Sequence, residues 1–215
     1  PFVRRVPWKS ALALFATGAV QFGFMSLAYM TSFRYLKSHE VALFTVMTPV
    51  YVAVINDLLS RKFHGANLLA ATLAVAGAGL ILWRGVSSRL PLTGFLLVEA
   101  SNLCFAAGQL AYREVLARCA QPPADLHVFG WLYLGGLLAL LPFGIRDALL
   151  TAPHPTLAQA GTLLYLGVMV SGASYFLWNS GARRVPAGVL AVMNNVKIPF
   201  GVLLSLLVFG EKTHL

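Results

Sequence analysis

Seven apolar stretches follow one another along the chain, each bounded by charged residues, glycine or proline. Residues 10–33 carry no charge, Glu40 and Asp57 bracket a run over about 40–60, and further runs cover 65–83, 90–112, 126–145, 157–182 and 185–210. An α-helix needs roughly 20 apolar residues to cross a hydrocarbon core of about 30 Å. Each run therefore predicts a membrane-spanning helix. Only Glu99 and Lys197 interrupt a run, and the connectors hold turn formers such as Pro122-Pro123 and Pro153-His154-Pro155. The pattern predicts an all-α, polytopic membrane helical bundle with seven transmembrane helices visible.

Composition excludes most other classes. Of 215 residues, 58% are hydrophobic and 11% charged, with mean hydropathy +0.75. A soluble domain carries about 25% charged residues, because much of a water-facing exterior must be polar. The net charge of +9 raises nucleic acid as a partner. The basic residues instead sit singly or in pairs between apolar runs, the pattern of orientation signals and headgroup contacts. The expected partners are a lipid bilayer and a small-molecule metabolite, and no nucleic acid; nothing in the sequence fixes an oligomeric state. The parity of the helices puts nine basic residues on one membrane side (Arg4, Arg5, Lys9, Arg61, Lys62, Arg113, Arg118, Arg183, Arg184) and six on the other. That bias favours the first side as cytoplasmic. Cys104 and Cys119 make no disulfide framework, and Asp57, four residues before Arg61, is expected to pair with it.

Sliding the chain by 150 residues lays the first two helices on the last two without gaps. Seven of 44 pairs are identical across 21–64 and 171–214, and the landmarks agree: Arg34 with Arg184, Pro49 with Pro199, Lys62 and His64 with Lys212 and His214. Helices one and two recurring as six and seven imply a five-helix unit. An odd unit inserts its copies in opposite orientations, the inverted repeat common among secondary transporters. Seven helices are then part of a probable ten, in a 5+5 inverted repeat.

At this point the residues resemble a known family. A basic loop, Gly23 and Tyr29, a short turn, a helix with Pro49, and a third helix opening at Gly65 and ending Ala76-Gly77-Ala78-Gly79 resemble a first EamA domain. Trp178 to Lys212, with Pro186-Ala187, Pro199 and Gly210-Glu211-Lys212, resembles a second. The chain is similar to the drug/metabolite transporter superfamily over nearly its whole length. The resemblance implies that residues 1–85 are helices three to five of ten and 90–215 helices six to nine, with cytoplasmic termini and a central cavity passing small metabolites, often outward. Arg61 stands where the second half has Glu211, so the first half departs from the family's acidic position.

Ionisable groups at membrane depth face the protein interior or a hydrated cavity. Glu99 lies roughly 10 Å into helix four, and Lys197 roughly 12 Å from the same side in helix seven, at 1.5 Å per residue. The two depths coincide, which predicts that they meet each other or one bound zwitterion; a structural ion pair and a snorkelling lysine are the alternatives. Glu99, Asn102, Ala106, Gln109 and Arg113 share one helical face. Asn194 and Asn195 precede Lys197 and Pro199, where proline leaves a carbonyl free one turn earlier, as Pro49 does for Thr45. Tyr29, Tyr175, Trp178 and Asn179 are candidate cavity walls, with interfacial anchoring the alternative for the aromatics. Ala70, Ala74 and Ala78 predict a close-packing face.

No catalytic or metal-ligating constellation stands out, so no cofactor or metal is expected. The leading reading is a multi-pass secondary transporter of the cytoplasmic (inner) membrane, an exporter or exchanger of small polar or amphipathic metabolites such as amino acids, working by alternating access. A nucleotide-sugar carrier is a variant of it. The rivals are a seven-helix retinal protein with Lys197 as its Schiff-base lysine, opposed by the lack of a carboxylate in helix three, and a membrane enzyme or assembly factor.

Overall fold

Helices occupy all seven apolar runs in the computed structural model of the chain, which describes residues 6–82, 91–119, 123–151 and 154–208. They are α1 (Trp8–Ser32), α2 (Ser38–Ser60), α3 (Gly65–Leu82), α4 (Leu92–Ala117), α5 (Asp125–Thr151), α6 (Leu157–Ala182) and α7 (Ala187–Val208). Among the described residues there is no strand. Five helices, α1, α2, α4, α5 and α6, are long and apolar enough to cross a membrane. The described residues thus hold seven helices, and a count of ten is not shown. Arg4, Arg5, Arg84, Arg89, Pro122, Pro153, the Gly210-Glu211-Lys212 run and His214 lie outside the described residues.

Three helices change pitch along their length. A π turn occupies Ala19–Phe24 of α1, and another occupies Leu166–Ala173 of α6. In α2 a 3-10 turn at Thr45–Met47 separates two α-helical pieces, and Pro49 sits in the first turn of the second piece. Proline suits that position because a helix's first N–H groups have no intrahelical partner. The far end of α2 corrects the expected Asp57–Arg61 pair. Arg61 adopts a left-handed conformation (φ 51°) that turns the chain out of the helix. His64 is thereby brought to Asp57, donating its backbone N–H to Oδ2 and placing Nδ1 2.9 Å from Oδ1. The i,i+4 spacing gives a pair only where the helix continues, and here it stops at Ser60.

Two compact units interleave along the chain. The first comprises Pro1–Leu27 and Gly108–Val185, the second Ala28–Ala107 and Pro186–Leu215. The 1–85 and 90–215 division is one of repeats, whereas these units are defined by compactness. Most of α1 shares the first unit with α6, and α2 shares the second with α7, so each unit holds both proposed copies of one helix.

The first unit is built on a close approach of α1 to α5. A Cβ on Gly18 would meet the Leu132 carbonyl, and one on Gly135 would meet that of Phe15. Glycine is required at both positions because backbone of the facing helix fills the space. Leu14, Phe22, Tyr112, Leu116, Val128, Phe129 and Leu132 form the core beside this contact. In the second unit Leu36, Val41 and Val98 form a smaller core, with Tyr29 and Phe44 against it. There Gly188 of α7 admits the Asn67 side chain of α3. On α3 Ala71 is fully buried, while Ala70 and Ala74 are half-buried.

Gly18→Val and Gly135→Val are each expected to lower stability by about 1–3 kcal/mol or more. Gly77→Ala, whose added methyl meets nothing, is expected to raise it by about 0.5–1 kcal/mol through helix propensity. The fraction of protein remaining monodisperse in detergent after heating measures both.

Candidate functional site

The broken α2 sets a hydrogen-bonding problem. Backbone carbonyls released from a helix inside a membrane have no water to turn to, and each must find a partner within the protein. Three carbonyls at the 3-10 turn receive side-chain donors, that of Thr45 in addition to the Thr48 backbone N–H. Thr48 Oγ1 donates to Thr45 O at 2.8 Å. Asn102 Nδ2 of α4 donates to Phe44 O at 2.9 Å, and Asn195 Nδ2 of α7 donates to Val46 O at 2.9 Å. The carbonyl that Pro49 frees, that of Thr45, is thus capped from within α2, and the carbonyls on either side are held from two neighbouring helices.

Glu99 joins the same network. It is 9% exposed, and its Oε2 accepts the Tyr51 hydroxyl at 2.8 Å and Asn102 Nδ2 at 3.3 Å. Its other oxygen, Oε1, is shielded and has no hydrogen-bond partner among the described residues. The structure does not join Glu99 to Lys197: no ion pair links them among the described residues, and Lys197 is exposed on α7. Equal depth along two helices does not fix the angle at which each side chain leaves its helix, and Glu99 is buried where Lys197 is exposed. Pro199 is exposed inside a continuous α7, while Asn194 is buried and bonds Leu190 O of its own helix at 3.0 Å.

The first unit has its own polar interior. Gln21, fully buried in the π turn of α1, donates Nε2 to Asn179 Oδ1 of α6 at 3.0 Å. Gly108 makes room for it, since a Cβ there would strike the Gln21 side chain. Gln109 is fully buried as well. Beside this pair Phe22 stacks on Tyr175 (centroids 5.0 Å apart, 18° between planes) and on Tyr133 (5.5 Å, 29°). Trp178 Nε1 is shielded without a hydrogen-bond partner among the described residues. Tyr29 lies in the second unit against the Leu36–Val41–Val98 core and meets Phe33 edge-on. At the ends of α5 and α6, Asp125 pairs with Arg183 and accepts the Tyr112 hydroxyl at 2.7 Å.

Sequence reading missed Tyr51, Thr48 and Gln21. Gln21 carried a usable signal: an amide in the middle of a charge-free membrane run is expected to bond to another helix. Nothing in the sequence identified Tyr51, whose role depends on its azimuth after the α2 break, or joined Asp125 to Arg183 across 58 residues.

The exterior and interior are inverted relative to a soluble protein. Leu163, Leu164, Leu166, Val168, Met169 and Val170 of α6 are exposed, whereas Gln21, Asn102, Gln109, Asn179 and Asn195 are buried. This is a polytopic membrane protein with amide and carboxyl groups turned inward.

Comparison with known proteins narrows that class. A profile described as the EamA-like transporter family matches residues 92–215. A protein of Pseudomonas aeruginosa named "Probable biotin transporter" is 41% identical over 202 residues, covering 92% of this chain and 69% of that protein. The "Biotin transporter" of Escherichia coli K12 is 40% identical over 202 residues, covering 92% of this chain and 65% of that protein. The chain thus spans about two thirds of the length of these relatives. A solved structure titled "Crystal structure of protein" shares the fold, with TM-score 0.76 and 17% identity over 97% of this chain and 70% of that one. The chain belongs to the EamA-like transporter family of the drug/metabolite transporter superfamily. It is a membrane transporter and not an enzyme, which sets aside the retinal-protein and membrane-enzyme readings.

Asn195→Leu leaves the Val46 carbonyl without its donor and is expected to cost about 1–3 kcal/mol. A lowered midpoint in a tryptophan-fluorescence melt of the detergent-solubilised protein is the measurement that checks it.

Proposed function

We propose that the intact protein is a secondary transporter of biotin, or of a closely similar amphipathic carboxylate, across a bacterial inner membrane by alternating access. One observation carries this: relatives at 40–41% identity, aligned over 92% of the chain, bear the name biotin transporter or probable biotin transporter. The substrate class is therefore read as a vitamin carboxylate and not as the amino acids that polarity alone suggested. Biotin presents a ureido ring, an apolar thioether ring and a flexible carboxylate tail. An amide side chain suits ureido recognition because it supplies both a donor and an acceptor.

Local geometry supports a repeat architecture for the alternation. With the 150-residue offset, the α1 π turn at 19–24 corresponds to 169–174, and the α6 π turn occupies Leu166–Ala173. The Asn195–Val46 bond joins neighbours of the two Pro-bearing helices at nearly equivalent positions, since Asn195 corresponds to Thr45. Such near self-pairing is expected close to a two-fold axis.

Full-length protein in liposomes loaded with unlabelled biotin is expected to draw in labelled biotin by counterflow, against excess leucine or a nucleotide sugar but not against excess unlabelled biotin. Counterflow of leucine or nucleotide sugar with none of biotin would overturn the assignment.

A further inference from the structure

We propose that Glu99 is a proton-binding site whose occupancy is linked to the break in α2. This rests on the transport reading above and adds the ion that drives it.

The carboxyl group is placed for a proton. It sits roughly 10 Å into a membrane-spanning helix at 1.5 Å per residue, 9% exposed, with no cation in ion-pair contact among the described residues. A lone carboxylate is costly at such depth, and binding a proton removes that charge. Oε2 is already engaged by Tyr51 and Asn102, whereas Oε1 has no partner among the described residues and accepts a proton without breaking a bond. The titratable groups on elements around it are Tyr51 of α2, whose hydroxyl it holds, Tyr29 at the end of α1, and Lys197 of α7, which is exposed. Glu40, at the start of α2, is occupied capping the Lys37 N–H at 2.9 Å.

The bonds also show how a proton here is felt elsewhere. Phe44 lies on the first piece of α2 and Tyr51 on the second. Asn102 Nδ2 is shared between Phe44 O at 2.9 Å and Glu99 Oε2 at 3.3 Å, while Tyr51 donates to the same Oε2. Glu99 and Asn102 therefore bridge the 3-10 turn. As a carboxylate, Glu99 attracts both donors strongly, since charge-assisted bonds are about twice as strong as neutral ones. As a neutral acid it releases part of that hold, leaving Asn102 to Phe44 and Tyr51 freer. The proton balance is simple: one H⁺ adds to the carboxylate from one side of the membrane and leaves to the other, with no bond to carbon changed.

The test uses full-length protein in liposomes, with labelled biotin as probe and a pH step imposed across the membrane. Wild-type protein is expected to accumulate biotin several-fold more with the step than without it, and to move protons with biotin as read by a trapped pH dye. In Glu99→Gln, uptake with and without the step is expected to agree within about two-fold. Glu99→Asp, which keeps a carboxyl, is expected to retain a response to the step. An undiminished response in Glu99→Gln overturns the proposal, as does wild-type biotin transport without proton movement. Loss of the response in Glu99→Asp with transport intact overturns it too. Counterflow of biotin by wild type without any pH step tests the transport reading separately, so failure of one is distinguishable from failure of the other. Should Glu99→Gln prove unfolded, the wild-type dye measurement and Glu99→Asp still decide.

Discussion

A helix can break inside a bilayer only if something other than water accepts the hydrogen bonds it gives up. That constraint organises the second unit of this protein. At the 3-10 turn of α2 the Thr45 carbonyl keeps a backbone bond from Thr48, and Asn102, Thr48 and Asn195 donate side-chain bonds to the Phe44, Thr45 and Val46 carbonyls. Two of these donors come from α4 and α7, so the break also fixes the azimuth of both helices about α2. Glu99, one turn from Asn102 on α4, takes its position from the same fixing. The amides are therefore structural before they are anything else, and a break held by side chains can be rearranged by changing those side chains' other partners.

The first unit solves a different problem by different means. Helix association in lipid gains little from burying apolar surface, since lipid is itself apolar, so close packing and interhelical hydrogen bonds must serve. Gly18 and Gly135 let the backbones of α1 and α5 approach until each would collide with a methyl group. Gln21, seated by Gly108 in the widened π turn, reaches Asn179. The π turn has a cause consistent with this, because wide turns rotate side chains relative to a regular helix and occur often at functional positions. Aromatic stacking of Phe22 between Tyr175 and Tyr133 completes an interior that is polar and aromatic side by side.

Legibility from sequence followed what each signal encodes. Hydropathy encodes length and polarity, so the seven helices and their order were readable, with boundaries such as 157–182 matching α6 to the residue. Side-chain azimuth is encoded only through the assumption of a regular helix. Glu99 and Asn102 kept their shared face because α4 is regular over that stretch. The assumption failed at α2, where Tyr51 comes to Glu99 through a 3-10 turn, and at Arg61, where the left-handed turn gives Asp57 to His64 instead. Glu99 and Lys197 form no ion pair among the described residues for a related reason: depth along a helix leaves the angle around it free. Long-range pairs such as Asp125 with Arg183 depend on packing between helices and have no counterpart in local spacing.

The departures from regular helix are themselves informative, because two of them fall close to the 150-residue offset. Seven identities in 44 pairs are weak, yet the same 150-residue offset brings the α1 π turn largely onto that of α6. A π turn leaves no simple residue signature, so its recurrence owes little to the few shared residues. The proline positions recur as well, but their consequences differ: α2 breaks before Pro49, while α7 runs through Pro199. Under the proposed repeat, the two proline-bearing helices differ in stiffness, one broken and one continuous. The broken helix, held by Asn102 and Asn195, is also the one whose Tyr51 bonds Glu99, so the proposed proton site acts on α2.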